Sequence, residues 1–203
     1  MRRSITGCTS SRSRHSSPER DSLLPLDLST QENQVIVSNE EIRLLVELDP
    51  QRFIGFASVD PYRPDAVYTL EHAFGDLGLA GLKLHPSRQN FSPASELLDP
   101  IYALCLRYNK PIIFHAGLSL EPNTTMRYAN PLEFETVAAR YPKLRISLAH
   151  FGFPWVRETA ALLLKYPNMY ADTGLLYFDS AREFYEEVFT RMLGKYWVDR
   201  SLR

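Results

Sequence analysis

Short apolar segments of this chain repeatedly end on a polar residue, and the interval between those endings is nearly constant. The segments are RFIGFASVD (52–60), LAGLKLHP (79–86), PIIFHAG (111–117), LRISLAHFG (144–152) and PNMYADTG (167–174). Each is brief, apolar at successive positions and closed by Gly or Pro, as expected for parallel strands covered on both faces. Their terminal polar residues are Asp60, His85, His115, His150 and Asp172. These stand roughly 28 residues apart on average, close to the period of eight βα units in roughly 250 residues.

The intervening stretches carry helix-start signals. Ser38 with Glu41 reads as a capping box before IRLLVEL. Asp65 precedes AVYTLEHAF, with Gly75 and Gly78 as stops. Asp99-Pro100 and Asn130-Pro131 each read as a cap followed by proline at the first helical position. Pro154 opens WVRETAALLLKY, and Ser180 with Glu183 caps AREFYEEVFTRML. A doubly wound open sheet has similar units, but neither GxGxxG nor GxxxxGK[ST] occurs here. Polar residues recurring at the carboxyl ends of strands favour a (β/α) barrel, in which all those ends share one mouth.

At 203 residues the chain has the length of one domain, and 44% hydrophobic with 23% charged residues fits a globular protein. A net charge of −1 gives no electrostatic footprint for nucleic acid or an anionic membrane surface. No apolar run reaches the roughly 18 residues that span a bilayer. Cys8 and Cys105 are too few and too far apart for a disulfide framework, which points to a reducing compartment and a cytoplasmic location. Residues 1–30 read as a disordered leader: residues 1–22 hold five arginines, many serines and two acids without apolar periodicity. The domain is expected to occupy residues 31–203.

Convergence at a barrel mouth would bring the strand-end residues into one pocket. Imidazoles and carboxylates together suit a divalent metal such as zinc, which lowers the pKa of bound water toward about 7. An imidazole outside the coordination sphere can act as base. Each residue also has a plainer role. A lone strand-end histidine is commonly a hydrogen-bonded structural residue, Asp172 can cap the following loop, and Asp60 before Pro61 suits a turn. Lys83 lies two residues before His85 and points the same way, so its burial calls for an anionic partner. Arg88 is a candidate for holding a substrate carboxylate, or a loop arginine. His72, inside a helix beside Glu71, and His15, in the leader, read as solvated.

From Val35 to Gly194 the sequence resembles the amidohydrolase-related family, metal-dependent (β/α)8 TIM barrels that include aminocarboxymuconate-semialdehyde and aromatic-acid decarboxylases. The resemblance is carried by RFIGFASVDP, GLAGLKLHPSRQNF, YNKPIIFHAG, LRISLAHFG and PNMYADTG. It implies that His115 is a metal ligand and that His150 beside the metal activates water or handles a substrate proton. By the same resemblance His85 lines the pocket. Lys83, Arg88 and Asp172 are the further substrate-binding candidates. The family's opening His-x-His strand has no counterpart in residues 1–34, and its late Asp motif is not matched by MLGKYWVDRSLR. The expected fold is therefore an α/β barrel lacking its first and last strands, with a further strand expected near QVIVS (34–38). Its open edges invite pairing with a second copy.

The implied activity is metal-dependent hydrolysis of a small carboxylated or cyclic substrate, with non-oxidative decarboxylation as the alternative. A catalytically inactive fragment is the reading of a different class. An aldolase-like role would rest on Lys83 alone, as a Schiff-base amine.

Overall fold

The computed structural model describes residues 21–23, 25, 37–175, 181–186 and 188. Strands β1 (Asp21–Leu23), β2 (Phe53–Gly55), β3 (Leu82–Leu84), β4 (Ile112–Phe114), β5 (Ile146–Leu148) and β6 (Met169–Ala171) are all parallel to their neighbours. β1 pairs with β2, and β3 to β6 form a second sheet in chain order. A parallel bridge between Ala57 and Leu82 joins the two, through Ala57 N–H to the Gly81 carbonyl and Lys83 N–H to the Ala57 carbonyl. The order along the combined sheet is the order in the sequence, as repeated βα units require.

Helices α1 (Asn39–Leu48), α2 (Ala66–Gly75), α3 (Pro86–Gln89), α4 (Asp99–Arg107), α5 (Glu135–Arg140), α6 (Val156–Lys165) and α7 (Ala181–Tyr185) alternate with the strands. The Ser38–Glu41 capping box forms in both directions. Asn130 caps as expected, accepting from Leu132 N–H, but the turn it opens is a 3-10 helix ahead of α5. Two caps differ. Asp65 makes no cap bond, because its carboxylate is taken by Arg63. Asp99 is the first residue of α4, and its carboxylate faces Arg140 at 3.1 Å. α6 begins at Val156, two residues beyond Pro154. Ser180 lies outside the described residues.

Strand register explains where the core sits. Leu82, Ile112, Ile146 and Met169 share one row, and Leu84, Phe114, Leu148 and Ala171 another, on the face covered by helices. Fully burying each Leu, Ile, Phe or Met of these rows contributes roughly 1.5–3 kcal/mol. Phe114 meets Tyr102 of α4 edge-on and packs against Phe134. The opposite face carries Lys83, Ile113, Ser147 and Tyr170 in one row. That face is not covered as the sequence suggested: Ile113 and Ser147 are half-buried and Tyr170 is 49% exposed. The physical reason is that the described strands do not close a ring, so no opposing strand among them fills the interior at β4 to β6.

Two further expectations meet the described residues only in part. The strand before β2 is Asp21–Leu23, inside the tract read as a leader, and the Leu23 carbonyl accepts from Phe56 N–H. Within QVIVS, Val37 is a bend and Ser38 the α1 cap; residues 34–36 lie outside the described set, as do residues 1–20.

Gly117, just past β4, joins the strand end to the loop after β5. Its φ of +94° is one that side chains rarely adopt, and a Cβ there would collide with the backbone of Gly152 and Phe153. Gly117→Ala is expected to destabilise the fold by about 3 kcal/mol, from left-handed strain and displaced backbone together. The check is a lower midpoint in urea unfolding.

Candidate active site

The carboxyl ends of β3, β4, β5 and β6 bring Lys83, His85, His115, His150 and Asp172 to one side of the sheet. His85 and His115 stack face to face, with ring centroids 3.8 Å apart and planes within 9°. His150 meets the His115 ring edge-on at 5.1 Å. A cavity of about 250 Å³ is lined by these three rings together with Leu118, Ser119, Leu120, Glu121, Phe153 and Leu175.

Each histidine is held by its own local structure. His85 ends β3 and starts the single turn of α3. Its N–H donates to Gln89 Oε1 at 2.7 Å, and its Nδ1 accepts from Arg88 N–H at 3.3 Å. Gln89 in turn donates to the Val59 carbonyl, so the segment after β2 holds this corner together with β3. His115 donates its backbone N–H to the Leu84 carbonyl, while its ring Nε2 is buried without a partner. Burial first, with the charge of Lys83 and the neighbouring imidazoles behind it, holds both rings neutral. His85 is pushed down to about 2 and His115 to about 3.

His150 is set differently. Ala149–Gly152 forms a tight turn in which His150 (φ 59°) and Phe151 (φ 49°) are both left-handed. Asp172 holds that turn. Its Oδ1 accepts from His150 N–H at 3.0 Å and from Gly174 N–H at 3.0 Å, and its carbonyl accepts from Phe151 N–H at 2.8 Å. His150 Nδ1 lies 2.9 Å from the Gly174 carbonyl. A carbonyl only accepts, so Nδ1 is assigned as the N–H, and the neutral ring keeps its lone pair on Nε2. A base with its tautomer fixed therefore stands at the cavity wall.

Lys83 lies buried beneath the rings, with its ammonium pKa lowered to about 8 by burial and partly restored by the charge of Asp172. Asp172 is thus both the turn's anchor and the anionic counterpart that a buried lysine demands.

With this geometry in view, the comparisons with known proteins decide the family. The family model described as Amidohydrolase matches residues 17–192. The chain belongs to this amidohydrolase family. An uncharacterised TIM-barrel protein from Bordetella bronchiseptica superposes with a TM-score of 0.69 at 23% identity, covering 79% of this chain and 56% of that one. The 2,6-dihydroxybenzoate decarboxylase from Rhizobium gives 0.54 at 16% identity, covering 74% and 61%. Protein fluG of Emericella nidulans is 31% identical over 85 residues, 42% of this chain and 10% of that protein. The chain thus spans about half the length of the first of these structures and a tenth of the fungal protein. The fold is a partial (β/α) barrel, as expected.

Within this amidohydrolase scaffold the remaining candidates separate. Arg88 does not line the histidine cavity. Its Nε sits 3.7 Å from Glu121 Oε1, and its side chain borders a neighbouring cleft. Asp60 is fully buried and accepts from Tyr62 N–H at 3.0 Å, the turn role open to it from the start. His72 lies on α2 between Asp76, 2.6 Å away, and Glu40, 3.8 Å away. Glu121, Ser119 and Phe153 were not singled out from the sequence. The one signal available was their place in loops after strands β4 and β5.

A divalent metal at such a site needs several donor atoms aimed at one point. His115 Nε2 is one unpartnered donor. Among the described residues, no group of three or more His, Cys, Asp or Glu side chains is placed to hold an ion. The stacked rings of His85 and His115 also keep their in-plane lone pairs in parallel planes rather than aimed at one point. The described residues alone do not assemble a metal centre. No helix among them is long and apolar enough to cross a membrane.

Proposed function

We propose that this chain carries the anion-attracting and proton-handling part of an amidohydrolase active site, acting on a small carboxylated or cyclic substrate. The observation that supports it is the fixed tautomer of His150 at the wall of a cavity lined by two neutral imidazoles, above a buried lysine. Lys83, buried behind the cavity and partly offset by Asp172, biases the potential there toward a substrate carboxylate. His85 and His115 stay uncharged, so they add no charge of their own to the cavity wall. In hydrolysis, His150 Nε2 takes the proton of the water that attacks the acyl carbon, then returns it to the leaving oxygen or nitrogen as the ester or amide bond breaks, releasing acid and alcohol or amine. Positioned bases of this kind contribute about 10²–10⁴ in rate.

Decarboxylation is the second reading, supported by the fold shared with the Rhizobium decarboxylase. There the protonated His150 would deliver a proton to the carbon that loses carbon dioxide.

Turnover of a panel of lactones, amides and hydroxybenzoates by the purified chain, with metal content measured on the same sample, tests both readings. His150→Asn is expected to lower kcat by about 10²-fold or more with little change in KM. The released product, acid and amine or alcohol against carbon dioxide, assigns the reaction. No turnover of any substrate, with no bound metal, would establish the inactive-scaffold reading instead.

A further inference from the structure

A second cavity lies at the opposite end of the sheet. It has a volume of about 430 Å³ and is lined by residues of the loops that enter β4 and β5 and by the last turns of α4 and α5. That size is within the range of small-molecule sites, roughly 300–1,000 Å³. Cys105 and Leu144 are buried behind the cavity, and the half-buried Leu106 and Tyr141 give it an apolar floor. The walls carry Lys110, Arg140, Lys143 and Arg145 and no carboxylate.

These cations are not equally engaged. Arg140 is neutralised by Asp99 at 3.1 Å. Arg145 donates to the Asn109 carbonyl at 2.6 Å and to Asn109 Oδ1 at 3.2 Å, which ties the two loops together while leaving its charge unneutralised. Lys110 stands over the Phe74 ring at 5.7 Å. Among the described residues, Lys110, Lys143 and Arg145 have no carboxylate partner within ion-pair distance. Two helix C-termini end here, and each carries about half a negative charge at most. Three unneutralised cations exceed that by about two positive charges. An apolar floor with a surplus of that size suits a small organic dianion whose apolar body sits against Leu106 and Tyr141.

We propose that this cavity binds a phosphomonoester-type dianion carrying a small apolar group, at a site separate from the histidine pocket. The two sites lie at opposite ends of the same strands, so occupancy of one leaves the other physically open.

Calorimetric titration of the full chain with phenyl phosphate and with inorganic phosphate tests this. Phenyl phosphate is expected to bind, more tightly than inorganic phosphate, and to weaken as salt is raised. Lys143 is exposed and has no carboxylate partner among the described residues, so Lys143→Glu should leave the circular dichroism spectrum unchanged. It is expected to weaken binding about tenfold or more, the loss of one charge-assisted contact and its reversal. His115→Ala should leave the affinity unchanged. Absence of binding at millimolar phenyl phosphate would overturn the proposal, as would equal affinity in Lys143→Glu or loss of binding in His115→Ala. Tighter binding of inorganic phosphate than of phenyl phosphate would remove the role given to the apolar floor and overturn the ligand assignment. None of these outcomes depends on whether the histidine pocket turns over a substrate.

Discussion

Acidification is expected to unfold this chain between about pH 6.5 and pH 3. His85 and His115 have folded pKa values of about 2 and about 3 against an ordinary value of 6.5, with burial as the first cause of both. For a group whose folded pKa is depressed, the stability it contributes is complete above the unfolded value. That stability is lost as pH falls toward the folded value. The unfolded chain therefore takes up two protons, starting near pH 6.5, that the folded chain refuses. Each refused proton costs about 1.36 kcal/mol for every pH step below 6.5, so by pH 4 the pair has lost roughly 7 kcal/mol. Domains of this size are typically stable by about 5–15 kcal/mol, so the loss is a large share of the whole. Urea midpoints measured from pH 7.5 down to 4 would show it. His85→Phe keeps a flat ring against His115 and removes one titrating group, so its acid midpoint should move lower while its stability at neutral pH changes little. Parallel acid profiles for the two proteins would show that the stacked pair is not the source.

How far the sequence anticipated the site depends on what each residue's position relied on. His85, His115 and His150 were legible because a strand carries its terminal residue to the barrel mouth wherever the repeat is regular. Three imidazoles at equivalent positions then had to meet. The buried lysine followed from period-two alternation, whereas which anion would offset it, from the protein or from a substrate, was not legible. The orientation of His150 was not legible. It depends on two consecutive left-handed residues, neither of them glycine, and on an aspartate 22 positions away that binds the backbone rather than a ligand. Where Arg88 sits was not legible either. A residue just past a strand can turn toward the mouth or over the rim, and Arg88 stands 3.7 Å from Glu121 at the edge of the histidine cavity. β1 escaped notice because three residues of mixed character carry no alternation to read. Its pairing with β2 is set by the neighbouring strand rather than by its own pattern.

Lys83→Met is expected to stabilise the fold and to remove affinity for anionic substrates in the same step. The folded pKa of about 8 against an ordinary 10.5 means that burial opposes the charged amine, even with Asp172 acting in its favour. The sign follows from linkage. A lysine with a depressed folded pKa contributes its full stability only above pH 10.5, loses it as pH falls to 8, and below 8 carries the whole cost of a buried charge. That cost is about 3 kcal/mol at neutral pH, and replacing buried charges by apolar groups of similar volume commonly recovers about 1–4 kcal/mol. Methionine nearly matches the length of the lysine stem and tolerates an irregular surround. The urea midpoint of Lys83→Met should therefore exceed that of the parent at pH 7, and the difference should vanish as pH approaches 10.5. The same variant should raise KM for a carboxylated substrate, or abolish its binding, while leaving uncharged lactones less affected. A gain in stability with unchanged carboxylate binding would remove Lys83 from the site. A loss of stability would show that the ammonium–Asp172 attraction outweighs desolvation, and that the lysine supports the His150 turn by neutralising its anchor. The expected pair of effects, a more stable chain that no longer draws an anion, is what separates a lysine kept for chemistry from one kept for packing.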